Sequence, residues 1–111
     1  MHDQFALPGQ GPWQRFIIRY RGDSAPGADC RQVQARLDRC ARAMPRGAGL
    51  RLSWLRRLGI GADVISADRA LDREGAQRLI QALAADPDVE YVEPDAVMRA
   101  FAQRGQDPRQ A

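Results

Sequence analysis

Side chains equipped for covalent or acid–base chemistry are scarce in this sequence. The one histidine, His2, stands second in the chain and reads as a solvated terminal residue rather than a catalyst or a metal ligand. The two cysteines, Cys30 and Cys40, lie ten residues apart in a stretch of helical periodicity. On a helix that spacing is about 15 Å along the axis, whereas a disulfide needs Cα atoms within roughly 7 Å. They are read as small apolar core residues and not as a redox pair or a zinc site, since no histidine or further cysteine stands near them. Cysteine usage leaves the compartment open. Asparagine is absent and no glycine-rich loop opens a helix, so a small hydrolase of the acylphosphatase kind lacks a convergent site. No enzyme activity, metal or cofactor is expected. What remains is binding. Met98 and Phe101 are large apolar side chains on a segment with no evident core to enter, and they are expected to engage something outside the domain.

That segment closes the stretch Asp-Pro-Asp-Val-Glu-Tyr-Val-Glu-Pro-Asp-Ala-Val-Met-Arg-Ala-Phe at 86–101, around which the chain is organised. Asp86-Pro87 stops the preceding helix, because proline disfavours helical backbone in the residue before it and donates no N–H. A strand follows, with Val89, Tyr91 and, after a skipped beat, Val92 on a half-buried surface. Pro94 is expected to end the pairing, and the chain beyond it to run extended and unpaired.

The earlier elements follow from periodicity. Residues 1–13 form a leader rich in glycine and proline, ahead of a domain at 14–97 and an extended tail at 98–111. In the first strand, at 13–21, Phe16, Ile18 and Tyr20 alternate with Arg15, Ile17 and Arg19, and Ile17 on the second face marks a central strand. Residues 23–27 are a turn-rich break. At 29–44 the apolar positions Cys30, Val33, Leu37, Cys40, Ala41 and Met44 make a one-faced amphipathic helix with Asp29 as N-cap, ended by Pro45 and Gly47. Leu50, Leu52 and Trp54 then alternate with Arg51, Ser53 and Leu55, and Gly59-Ile60-Gly61 turns into a second arm at 62–67, the signal of a hairpin. Arg56-Arg57 reads as solvated hairpin surface. Residues 68–72 are expected to turn, with a last helix at 73–85 capped by Asp72 and apolar at Ala76, Leu79, Ile80, Leu83 and Ala84.

Strand, helix, strand, strand, helix, strand is the split arrangement of a ferredoxin-like α+β fold, a four-stranded antiparallel βαββαβ sheet with both helices on one face. The other face is left bare. Ile17, Trp54, Val64 and Ile65 give it enough apolar character to be covered by another molecule.

Composition is that of a globular chain: 111 residues, 44% hydrophobic and 28% charged. Net charge is +3, yet all 17 basic residues are arginine, spread among 14 acids, which points to a GC-rich genome rather than a nucleic-acid footprint. No apolar run approaches the roughly 20 residues of a membrane span. No basic leader with an apolar stretch and cleavage site is present.

Arg15-Phe16-Ile17-Ile18-Arg19-Tyr20, the helix ending in Asp-Pro at 79–87 and, above all, Val89-Glu90-Tyr91-Val92-Glu93-Pro94-Asp95 resemble the propeptides of subtilisin-like serine proteases over about residues 14–101. The resemblance implies a secreted or periplasmic prodomain, monomeric when free. Its partner would be a subtilisin-like catalytic domain, whose folding it assists and which it then inhibits. It implies that the bare sheet face packs on two protease helices and that Glu93 and Asp95 cap their N-termini, where unpaired N–H groups accept a carboxylate. It implies further that Met98, Arg99, Ala100 and Phe101 lie in the active-site cleft like a cleaved product, with Phe101 in the primary pocket. Pro94 stands where an acid is common, and the chain continues to Ala111, so the processing bond follows either Phe101 or Ala111. A free-standing inhibitor of the same fold is the alternative. An RNA-binding module lacks stacking aromatics at Ile17, Arg19, Val64 and Ser66.

Overall fold

A computed structural model describes residues 11–44 and 50–95. Four strands, β1 (Trp13–Tyr20), β2 (Leu52–Arg57), β3 (Asp63–Leu71) and β4 (Val89–Pro94), form one antiparallel sheet in the order β2-β3-β1-β4. The helices α2 (Val33–Ala43) and α3 (Arg73–Ala84) make the two crossovers, giving the ferredoxin-like α+β arrangement. Their buried residues, Val33 and Leu37 from α2 and Ala76, Leu79, Ile80 and Leu83 from α3, close on one sheet face through Phe16, Ile18, Tyr20 and Ile65. β1 buries Phe16, Ile18 and Tyr20 at a period of two, as its alternation dictates. Trp13 joins the same core although its parity is wrong, because the β1–β3 register shifts between Trp13 and Arg15. Between those pairs Gln14 alone on β1 faces residues 67–70 on β3, and an unequal count of that kind breaks the alternation of faces.

Three departures from the expected elements have local causes. The break at 23–27 contains a single helical turn, α1 (Ala25–Ala28), started by Ser24, whose hydroxyl donates to the Arg21 carbonyl (2.6 Å) and accepts from the Gly27 N–H (3.1 Å). Asp29 does cap a helical segment, accepting from the Arg31 N–H at 3.0 Å, but the turn it starts at Cys30–Gln32 is 3₁₀, and α2 proper begins at Val33. β3 runs four residues past the expected end at Ala67, through the polar stretch taken for a turn. Neighbours on both sides hold it: the Asp68 N–H donates to the Arg51 carbonyl at 2.9 Å and Leu71 pairs with Trp13.

Helix α3 matches its pattern closely. The Asp72 side chain accepts from the Gly75 N–H at 2.8 Å, and the helix stops before Asp86-Pro87. That stop is tied back to α2: Arg36 reaches Asp86 (2.9 Å) and Asp88 (3.0 Å), while the Asp86 carboxylate also accepts from the Asp88 N–H (2.9 Å). The β2–β3 connection needs Gly61, whose φ of 93° is left-handed and whose added Cβ would stand 3.2 Å from an Arg19 guanidinium nitrogen.

The β2 edge is closed from within. Gln34 on α2 donates its side-chain amide to the Leu52 carbonyl (2.8 Å) and accepts from the Trp54 N–H (2.8 Å), so one side chain fills two outward-facing slots of the strand.

Cys30 and Cys40 are free and packed against the core, as expected, and burial pushes the Cys40 thiol up. Burial likewise pushes the Tyr20 phenol above its usual range, with Asp86 adding to it and Arg36 opposing. The folded chain therefore keeps a proton that the unfolded chain releases, and stability is expected to fall as pH rises through about 10. Tyr20→Phe should flatten that decline in urea melts taken between about pH 8 and pH 11. An unchanged slope would assign the alkaline loss to another group.

Candidate interaction face

The face away from the helices is assembled from residues paired across the strands. Ile17 on β1 stands between Val64 on β3 and Glu93 on β4; Arg15 pairs with Ser66, Arg19 with Tyr91, Ser53 with Ser66 and Arg56 with Val64. Directly paired residues share a face, so these side chains form one patch opposite the core. Ile17 is half-buried, and Val64, flanked by Ile17 and Arg56, is only 2% exposed.

Two of the four residues expected here belong on the other side. Ile65 pairs with Phe16 and Trp54, and lies fully buried in the core; Trp54 packs against that core. The reason is parity: Val64 and Ile65 are consecutive, so only one of them can face each way, and Trp54 continues the buried alternation of Leu50 and Leu52. The indole N–H of Trp54 donates to the Asp63 carboxylate at 2.9 Å.

Asp63 is the buried charge that sequence reading passed over. It accepts from Arg57 through both oxygens (2.9 and 2.8 Å), and Arg57 also donates to the carbonyls of Gly27 (2.7 Å) and Pro26 (2.8 Å). The hydrogen bonds to Asp63 raise the Arg57 guanidinium above its ordinary range. Arg57 is thus not solvated hairpin surface, while its neighbour Arg56 is exposed. A register shift between Trp54 and Arg56 separates them, with Leu55 as the extra residue.

At β4 the register shifts again, between Arg19 and Tyr20, leaving Glu90 unpaired in the ladder, where it meets Arg19 at 3.0 Å. This shift puts Val89 and Val92 against the core and turns Tyr91 outward, 38% exposed on the open face. Arg19 also donates to the Ile60 carbonyl in the hairpin connection, so it spans the face from β4 to the β2–β3 turn. Tyr91, with exposed Leu55 and Ile60 near the margins, adds apolar surface that sequence analysis did not assign to a site.

Glu93 and Asp95 come out on the same face. Glu93 pairs with Ile17, and the Asp95 N–H donates to the Arg15 carbonyl at 3.0 Å, so pairing continues past Pro94 instead of stopping there. Pro94 is tolerated because β4 is an edge strand and the proline nitrogen, opposite Phe16, falls at a position that donates nothing to β1. Two residues apart on one strand, the carboxylates lie about 7 Å apart along it. Met98, Arg99, Ala100 and Phe101 lie outside the described residues.

Among the described residues no three His, Cys, Asp or Glu side chains gather as a metal site, and no helix is long and apolar enough to cross a membrane.

No family model matches the chain, and no solved structure matches it. One curated protein does, an extracellular protease of Xanthomonas campestris pv. campestris, 43% identical over 89 residues. This chain resembles a small part of an extracellular protease. The match covers 78% of the chain but 15% of the protease, so the chain spans about one-seventh of that relative's length.

Proposed function

We propose that this chain is a non-catalytic prodomain of a secreted or periplasmic subtilisin-like serine protease, acting first as a folding template for its protease and then as its product-like inhibitor. The observation that carries the reading is the alignment of Glu93 and Asp95, with Ile17 between β3 and β4, on the sheet face that the two crossover helices leave uncovered. Likeness to a small part of a larger extracellular protease supports it, and favours a prodomain over a free-standing inhibitor.

In this reading residues 14–97 are the domain that docks and 98–111 the tail. The open face lies across two helices of the protease, whose exposed N-terminal N–H groups are capped by the two carboxylates. The strand leaves the sheet at Asp95, and Met98 to Phe101 run extended along the active-site cleft, gaining main-chain hydrogen bonds while alternate side chains fill pockets. Docking on preformed helices explains the folding role, because a surface that binds only the assembled helix pair stabilises it by mass action.

The test is inhibition of the Xanthomonas campestris extracellular protease, and of a subtilisin-like protease, by the purified 111-residue chain, with mass analysis of the fragments over time. Tight inhibition that fades as cleavage proceeds is expected, and the earliest cut locates the processing bond. Phe101→Ala should weaken inhibition about tenfold by emptying one pocket. A folded chain that inhibits neither enzyme removes the proposal.

A further inference from the structure

The chain reaches β1 by a bend against the core. Gly11 has a φ of 75°, a left-handed backbone, and a Cβ added there would collide with the Trp13 indole. Trp13 is buried in the core, pairs with Leu71 at the end of β3, and has the Arg73 guanidinium 5.1 Å from its ring centroid. Gly11 therefore stands at the helix layer, beside the first turn of α3. From that turn a groove of about 520 Å³ follows α3 as far as Ala82, walled on its other side by Leu71, Met44 and Leu50. The charges on its rim are already matched: Arg69 lies 3.6 Å from Asp68 and Arg78 lies 2.6 Å from Glu74. An uncharged, apolar segment suits such a groove.

We infer that the groove is the seat of the chain's own residues 5–7, Phe5-Ala6-Leu7. Gly75 to Ala82 lie about 3 to 14 Å beyond Arg73 along the helix axis. Leu7 is four residues from Gly11 and Phe5 six, which in extended chain span up to about 14 Å and about 21 Å. Extended backbone points Phe5 and Leu7 one way and Ala6 the other, so both large side chains can enter one groove. The triplet carries no charge, in keeping with the matched rim. Other segments suit the groove less well. Residues 45–49, Pro-Arg-Gly-Ala-Gly, hold no large apolar side chain. The tail carries Arg99 between Met98 and Phe101, and it leaves from β4, with β1 between it and the end of β3. Seating Phe5 and Leu7 removes apolar surface from water on both sides of the contact, over the end of the core that Trp13 and Leu71 close. Residues 5–7 then belong to the folded domain on its helix side, and the open face stays free. Neither the groove nor its occupant depends on the prodomain reading.

The experiment installs a photo-cross-linker in the full 111-residue chain by Phe5→p-benzoylphenylalanine, irradiates the folded protein and maps the linked peptides. Links within one chain to residues 69–82, or to Met44 and Leu50, are expected. Ala82→Arg, which puts a charged side chain into the groove, should remove most of them. Links to the open face or between two chains overturn the inference, and so does labelling of the groove from Phe101→p-benzoylphenylalanine in place of Phe5. Phe5→Ser with Leu7→Ser tests it without the probe: urea melts should show an unfolding constant about tenfold larger, with Gln4→Ser unchanged. A double variant as stable as the wild type overturns it as well.

Discussion

Arg57→Ala is expected to cost about 3–5 kcal/mol of folding stability, a large share of the roughly 5–15 kcal/mol that a small domain holds. The size follows from what the truncation leaves behind. Asp63 is fully buried, and without Arg57 its carboxylate keeps the Trp54 indole N–H as a donor, while the carbonyls of Pro26 and Gly27 lose the donors Arg57 supplied. An uncompensated buried charge is far more damaging than the absence of an ion pair. Arg57→Lys should rescue little, because one ammonium cannot span both Asp63 oxygens and two carbonyls together. Arg57→Met combined with Asp63→Leu should recover most of the loss, since apolar residues of similar volume replace the pair without leaving a charge. Urea denaturation of the three variants measures this. A loss below about 1 kcal/mol for Arg57→Ala would show that solvent reaches Asp63 and that the pair is ornamental.

Ile17→Arg is expected to abolish most inhibition while sparing the fold. Ile17 stands at the centre of the open face, half-buried, directly opposite Glu93, which can accept the introduced guanidinium. Stability should change by less than about 1 kcal/mol, the span of strand preferences. In the proposed docking on a protease the same side chain would drive bulk and charge into the middle of a desolvated contact and divert Glu93 from the helix N-terminus it is proposed to cap. At least a hundredfold weaker inhibition is expected, equivalent to about 2.7 kcal/mol. Measuring the inhibition constant beside the melting curve separates the two effects. A normally folded variant that inhibits like the wild type would show that this face does not dock on the protease.

Element order, the buried alternation of β1 and α3 with its Asp72 cap were legible in the sequence because each rests on local rules, although Ala84, expected on the apolar face of α3, is exposed. The contents of the open face were only half legible. Ile17 and Val64 are on it, with Glu93 and Asp95 beside them, but Trp54 and Ile65 are in or against the core. Facing was obscured at three register shifts, one in each strand pair, which move Trp13 inward, release Arg56 from its neighbour Arg57 and turn Tyr91 outward. Counting by twos fails wherever one strand carries unmatched residues, and nothing in the composition of Leu55, of Glu90 or of residues 67–70 opposite Gln14 announces them. The skipped beat at Tyr91-Val92 was the one visible trace. The Arg57–Asp63 pair escaped for a different reason: six residues apart across a hairpin, the two side chains look like ordinary surface charges until the register brings them face to face.

A sheet of four strands ends in two margins, and each unprotected margin exposes a chain to pairing with copies of itself. The side-chain amide of Gln34 imitates a neighbouring strand at Leu52 and Trp54. One margin is thereby withdrawn from intermolecular sheet growth by a residue of the chain's own helix. Head-to-tail stacking of domains through this fold needs both margins free. With those two positions of β2 occupied, pairing between copies is directed toward β4, and growth of a sheet through both margins is opposed.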